Sequence, residues 1–176
     1  LSSGLFNDFA PVFTRDGEHL LFVSNRRFDP TFCDFEWEMV FKNAAGIYAL
    51  TLRADGEPLL PMRSDEVVAA EDAGRDAPAA TAAPEIRIDF EGIAERIEAL
   101  PVPASNYRDL AAGSHAIYFL DGERGDFNRF EYRQLPPRTL YAFDFEEREV
   151  EAVVEGGEQY ALAADGEHLV WRRDDE

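Results

Sequence analysis

Residues 11–25 read PVFTRDGEHLLFVSN, and residues 159–171 read QYALAADGEHLVW. Each stretch has an apolar strand, an Asp-Gly pair, then Glu-His-Leu and a second apolar strand. Asp16-Gly17 and Asp165-Gly166 suit a tight reversal, because Gly accepts positive φ and Asp bonds its own backbone. The identical DGEH tetrapeptide at both places marks a structural repeat. A degenerate third copy lies at 107–120, YRDLAAGSHAIYFL. There Gly113-Ser114 is read in the place of Asp-Gly, and His115 falls within one position of His19 and His168.

Working outward, each hairpin leads to a further strand. Gly46 to Leu52 follows the first, and Arg138 to Asp144 follows the degenerate copy. Val150 to Val154 then closes the second unit. This gives about four strands per unit, with a period near the ~40–50 residues of propeller blades. The run Leu20-Leu21-Phe22-Val23 lacks strict alternation, so both of its faces should be covered, as in a blade held between two others. The expected fold is therefore all-β: a partial β-propeller of about two four-stranded antiparallel blades plus the start of a third. The expected boundaries are a blade at 1–62, a solvated loop at 63–85, a blade at 86–155 and the opening of the next blade at 156–176.

Three segments interrupt this pattern. Residues 26–45 form an aromatic-rich insert in which Trp37, Met39 and Phe41 alternate as in a short strand. Residues 63–85 are rich in Ala, Asp, Glu and Pro, with no apolar period after Val68. Residues 121–137 form a second charged and aromatic insert closed by Pro136-Pro137. The stretch 86–103, IRIDFEGIAERIEALPVP, reads either as a helix presenting Ile93, Ile97 and Leu100 on one face, or as two strands around Glu91-Gly92. The flanking repeats favour strands.

Composition narrows the partners. The chain has 176 residues, 45% hydrophobic and 12% aromatic, enough for a packed core. Its formal charge is -19, from 36 acidic and 17 basic residues. Nucleic acid and anionic membrane surfaces are disfavoured, since both are bound through Lys and Arg. Lys42 is the sole lysine. So many carboxylates with so little Lys point to adaptation to concentrated salt; a codon bias towards Arg, Ala and Gly is the alternative. No apolar run approaches the ~20 residues of a membrane helix, and LSSGLFNDFAP lacks the regions of a secretory signal. The chain opens on Leu1, not Met, and reads as an excised segment. A cytoplasmic location is expected, with the periplasm as the alternative.

The segment Ile88-Asp89-Phe90-Glu91-Gly92-Ile93, then Arg96-Ile97, then Leu100-Pro101-Val102-Pro103-Ala104-Ser105-Asn106-Tyr107, resembles the stretch that joins two propeller blades in tricorn-type peptidases. PVFTRDGEHLLFVSNRRFDPTFCDFEW is similar to that family's blade and its continuation. The DG hairpins are also similar to TolB-type repeats. The resemblance covers roughly 10–60 and 86–173. Ser105 stands where the family often has Gly. The resemblance implies a large serine peptidase that degrades oligopeptides, assembles as a homo-oligomer, and uses its propellers as passages and scaffolds. Its nucleophile would lie in a C-terminal region beyond a PDZ-like domain, so no catalytic residue carries over to this chain. A TolB-like module for protein–protein binding is the alternative.

No catalytic residue, cofactor site or metal motif is expected. The sequence has no G-x-S-x-G elbow, C-x-x-C, H-E-x-x-H, P-loop or EF-hand pattern. Cys33 is alone, so no internal disulfide is possible, and it reads as a small buried hydrophobe. His19, His115 and His168 read as repeat positions near blade turns. The diffuse carboxylates, among them Asp29, Asp34, Glu36 and Glu38, show no convergent ligand set. Arg26, Arg27, Arg129 and Arg133 are candidate contacts to peptide carboxylates or carbonyls; the competing reading is salt bridges that hold the inserts to the blades.

Overall fold

The computed structural model describes residues 4–27, 30–32, 39–41, 43–63, 86–122 and 137–173. Its strands are β1 (Asp8–Phe13), β2 (His19–Ser24), β3 (Pro30–Phe32), β4 (Met39–Phe41), β5 (Gly46–Thr51), β6 (Ile97–Ala99), β7 (Arg108–Ala112), β8 (Ala116–Asp121), β9 (Arg138–Asp144), β10 (Val150–Gly157), β11 (Gln159–Leu162) and β12 (Leu169–Arg172). Apart from one 3-10 turn at Ile93–Arg96, the described residues contain no helix. Two four-stranded sheets have the orders β1-β2-β5-β6 and β10-β9-β8-β7, and every pair is antiparallel. β11 and β12 form a further hairpin, as do β3 and β4 within the first insert. Residues 28–29, 33–38, 42, 64–85 and 123–136, with Cys33, Trp37 and the carboxylates Asp29, Asp34, Glu36 and Glu38, lie outside the described residues.

The apolar run in β2 behaves as its lack of alternation requires. β2 is central, between β1 and β5, and Leu21, Phe22 and Val23 are all buried. The strand period of two sends Leu21 and Val23 to one face and Phe22 to the other. Leu21 and Val23 join Ile47, Ala49, Leu100, Val102, Tyr107, Ile117, Phe119 and Phe143 in the core between the two sheets. Phe22 joins Tyr48, Leu50 and Leu52 under Ile88, Ile93 and Ile97. Each fully buried Leu, Ile or Phe side chain here contributes about 1.5–3 kcal/mol relative to exposure.

The two DGEH hairpins share one backbone design. Gly17 N–H donates to Thr14 O and Gly166 N–H to Ala163 O, both at 2.9 Å, with φ of 73° and 75° at the two glycines. Asp16 Oδ1 accepts from Glu18 N, and Asp165 Oδ1 from Glu167 N, both at 2.9 Å. The third hairpin is tighter than expected. Its closing bond runs from Gly113 N to Ala116 O, matching Thr14 N to His19 O and Ala163 N to His168 O. Gly113 therefore occupies the place of Thr14, and does not replace the Asp-Gly pair. His115 matches Glu18, since its carbonyl accepts from Phe145 N as that of Glu18 accepts from Leu52 N.

The 86–103 stretch follows neither expected form throughout. Residues 86–90 are not a strand, Ile93–Arg96 form the single 3-10 turn, and only Ile97–Ala99 pair, with β5. That pairing gives β6 to the first sheet, so the expected second-blade start at residue 86 is displaced: the chain crosses between sheets over Leu100–Tyr107. The cause is packing, since Ile88, Ile93 and Ile97 cover the Phe22–Tyr48–Leu50 face. The crossing is tied at its start by Leu100 N donating to Ile47 O at 2.9 Å, and again near its end. Ser105 and Ala45 exchange backbone hydrogen bonds, and Ser105 Oγ donates to Asp121 Oδ1 at 2.7 Å. Tyr107 meets Phe119 edge-on at 5.0 Å.

Candidate functional site: the inner edge of the blades

The first strands of the first two units pack together, and a side chain from the first strand of the third reaches the second unit. β1 packs against β7. From β11, the Tyr160 hydroxyl reaches the carbonyls of Asp109 in β7 and Tyr118 in β8, the latter at 2.8 Å. Burial first, and then the Asp109 charge, push this phenol above its ordinary pKa, so it remains a donor. At the turns, Arg15 Nη2 donates to the Ala164 carbonyl at 2.7 Å, linking the first and last hairpins. First strands that converge in this way define the inner edge of a radial blade array.

Two of these inner strands carry the same irregularity. The register shifts between Phe9 and Val12 in β1, and between Arg108 and Ala111 in β7. Ala10 has φ 51° and Asp109 has φ 53° at the matching positions. Such bulges re-aim side chains and end regular pairing. Pro11, Phe13, Arg108, Asp109, Gln159 and Ala161 are the exposed positions of the inner strands.

The turns on this edge are rich in carboxylates. Asp165 accepts from Glu167 N, from the His168 ring at 2.7 Å and from His168 N. These bonds, the Glu167 amide first, hold its pKa down at about 2, and Asp165 in turn raises that of His168. His168 is exposed, whereas its counterpart His19 is only 5% exposed and places Nε2 2.9 Å from the Glu57 carbonyl. The repeat thus equates the two histidines in backbone but not in environment. His115 is exposed. Among the described residues no serine hydroxyl is hydrogen-bonded to a histidine: Ser24 donates to Asp8 and Ser105 to Asp121.

Of the candidate arginines, Arg26 is drawn into the blade. Its Nη2 lies 3.0 Å from Asp8 Oδ2, and its Nε donates to Ser24 Oγ at 2.9 Å. Its guanidinium sits 5.2 Å from the Phe22 ring centroid and 5.5 Å from those of Phe6 and Tyr48. Arg27 is exposed, with its amide donating to Ala44 O. Arg129 and Arg133 lie outside the described residues. Sequence reasoning missed Arg15, Tyr160 and the paired bulges, because each depends on contacts between distant units.

The whole chain, residues 1–176, matches the family described as the tricorn protease second beta propeller domain. It is 31% identical over 172 residues to tricorn protease homolog 1 of Streptomyces coelicolor, covering 94% of this chain and 16% of that protein. It is 22% identical over 170 residues to the tricorn protease of Thermoplasma volcanium, covering 96% of this chain and 15% of that protein. A crystal structure of the tricorn protease has the same fold over 96% of this chain and 15% of that one, with a TM-score of 0.69 at 19% identity. The chain thus spans about a sixth of the length of these relatives. It belongs to the tricorn protease second β-propeller domain family.

Proposed function

We propose that this chain is a non-catalytic propeller segment of a tricorn-like serine peptidase that degrades oligopeptides, and that its inner edge lines a passage for those peptides. The observation that carries this reading is the packing of β1 on β7, with Tyr160 of β11 reaching the Asp109 carbonyl of β7, in a chain that matches a tricorn propeller family from end to end. The remaining blades and the peptidase chemistry would come from the rest of the same polypeptide. The blades also act as a scaffold for that polypeptide and for its oligomer. A large acidic charge suits a cytoplasm with concentrated salt, where screening relieves self-repulsion.

The test uses the full-length protein and fluorogenic peptides of graded length. Gln159→Trp and Ala161→Trp add bulk at exposed positions of an inner strand. Turnover of long peptides should fall several-fold while that of the shortest is unchanged. Equal turnover at every length would reject the passage.

A further inference from the structure

The first hairpin gathers three side chains that a peptide passage does not explain. A carboxylate oxygen of Asp16, one of Glu18 and a ring nitrogen of His19 lie within 4.8 Å of one another. The two acids are exposed, whereas His19 is 5% exposed. Its Nε2 lies 2.9 Å from the Glu57 carbonyl, a group that can only accept. Nε2 therefore carries the proton in the neutral ring, and Nδ1 keeps the lone pair. That Nδ1 is buried and meets no hydrogen-bond partner among the described residues. A buried acceptor without a donor is costly unless something else takes the lone pair.

The supports expected around a metal ligand are also present. A ligating imidazole usually donates its other N–H to a carbonyl or carboxylate, as Nε2 does to Glu57. Asp16 is oriented through Oδ1, which accepts from Thr14 Oγ1 at 2.6 Å and Glu18 N at 2.9 Å, leaving Oδ2 open. The second DGEH copy is an internal comparison. There the His168 side chain is 79% exposed and its Nδ1 is spent on Asp165 Oδ2 at 2.7 Å. The tetrapeptide alone does not create the arrangement; the chain at Glu57 that covers His19 does.

We propose that Asp16, Glu18 and His19 bind a first-row divalent cation of the zinc class, through His19 Nδ1 and one oxygen of each carboxylate, with water completing the shell. One imidazole with two carboxylates suits such an ion better than calcium, which takes six to eight oxygens. Ligands of a tetrahedral zinc stand about 3.3 Å apart at bond lengths near 2 Å. The two exposed acids close in to reach that spacing. The bound ion holds the β1–β2 turn together, His19 Nε2 links that turn to Glu57, and the surrounding negative charge raises the local cation concentration.

The experiment measures zinc bound per chain in the full-length protein, stripped with chelator and dialysed against zinc with magnesium in excess. Glu18→Gln and Asp16→Asn are isosteric, and both positions are exposed. The wild type should hold one zinc more per chain than either variant, with affinity in the variants at least tenfold weaker, and His168→Gln should keep the wild-type value. Equal zinc in the wild type and both variants, or a loss in His168→Gln instead, would overturn the proposal. If one of the two variants does not fold, the other decides alone.

Discussion

Arg96 explains at the residue scale why the IDFEGIAERI segment resists both a helical and a strand reading. Its Nε donates to Thr51 O at 3.0 Å, its Nη1 to Glu91 O at 2.9 Å, and its Nη2 to Leu52 O at 3.3 Å and to Asp89 O. One side chain thus satisfies carbonyls that a regular ladder would otherwise have to take. Replacing it with Lys keeps the charge but loses the planar fork. We expect Arg96→Lys to weaken local stability by about 2 kcal/mol, the scale of a lost hydrogen bond to a charged group. Amide exchange of Ile97–Ala99 in the full-length protein should then speed about 30-fold; unchanged exchange would refute the clamp. Asp8 offers a second check. Burial raises its pKa, but hydrogen bonds from Arg26 and Ser24 and the Arg26 charge outweigh that and hold it below 3.8. A depressed folded-state pKa contributes stability that is fully present above the unfolded value and is lost as pH falls through the folded one. Acidification below about 3.8 should therefore loosen the β1–β2 edge in the wild type. Asp8→Asn should be weaker at neutral pH and should lose that acid-dependent step, as read by exchange of the β2 amides.

Among elements, what was legible is what local chemistry dictates. The DG reversals were readable because glycine at positive φ and an aspartate bonding its own turn need only four residues. The burial of β2 was readable because an unbroken apolar run requires cover on two faces. The assignment of Ile97–Ala99 to the first sheet was not readable, since β5 and β6 are separated by the whole 63–85 stretch. The same holds for the inner-edge bulges, which appear only once strand is set against strand. The register of the shortened third hairpin is not legible, because a Gly-Ser pair imitates an Asp-Gly turn when the closing hydrogen bond, Gly113 N to Ala116 O, is unknown. Gly157 tests the junction of the second sheet with the last hairpin. A Cβ there would stand 1.9 Å from Trp171 Cζ2. Gly157→Ala should cost about 1–3 kcal/mol by overpacking, read as faster proteolysis at β11–β12 in the full-length protein. Wild-type resistance would show that the indole is not seated on the glycine.

For the whole molecule, charge and convergence set the behaviour. A formal charge of -19 on 176 residues repels itself, and the Debye length shrinks from about 10 Å at 0.1 M salt to about 3 Å at 1 M. The unfolding midpoint should rise steadily over that interval with sodium chloride; a flat response would remove the case for salt adaptation. Among the described residues, Ser24 and Ser105 donate to aspartates, His19 meets the Glu57 carbonyl and His168 meets Asp165, so these serines and histidines serve turns and blade edges rather than one another. The proposed function makes the chain a non-catalytic segment of a serine peptidase. Its most direct test is labelling of the full-length protein with a fluorophosphonate, followed by peptide mapping. The account predicts a single modified serine outside these 176 residues; an adduct on Ser24, Ser105 or Ser114 would contradict it.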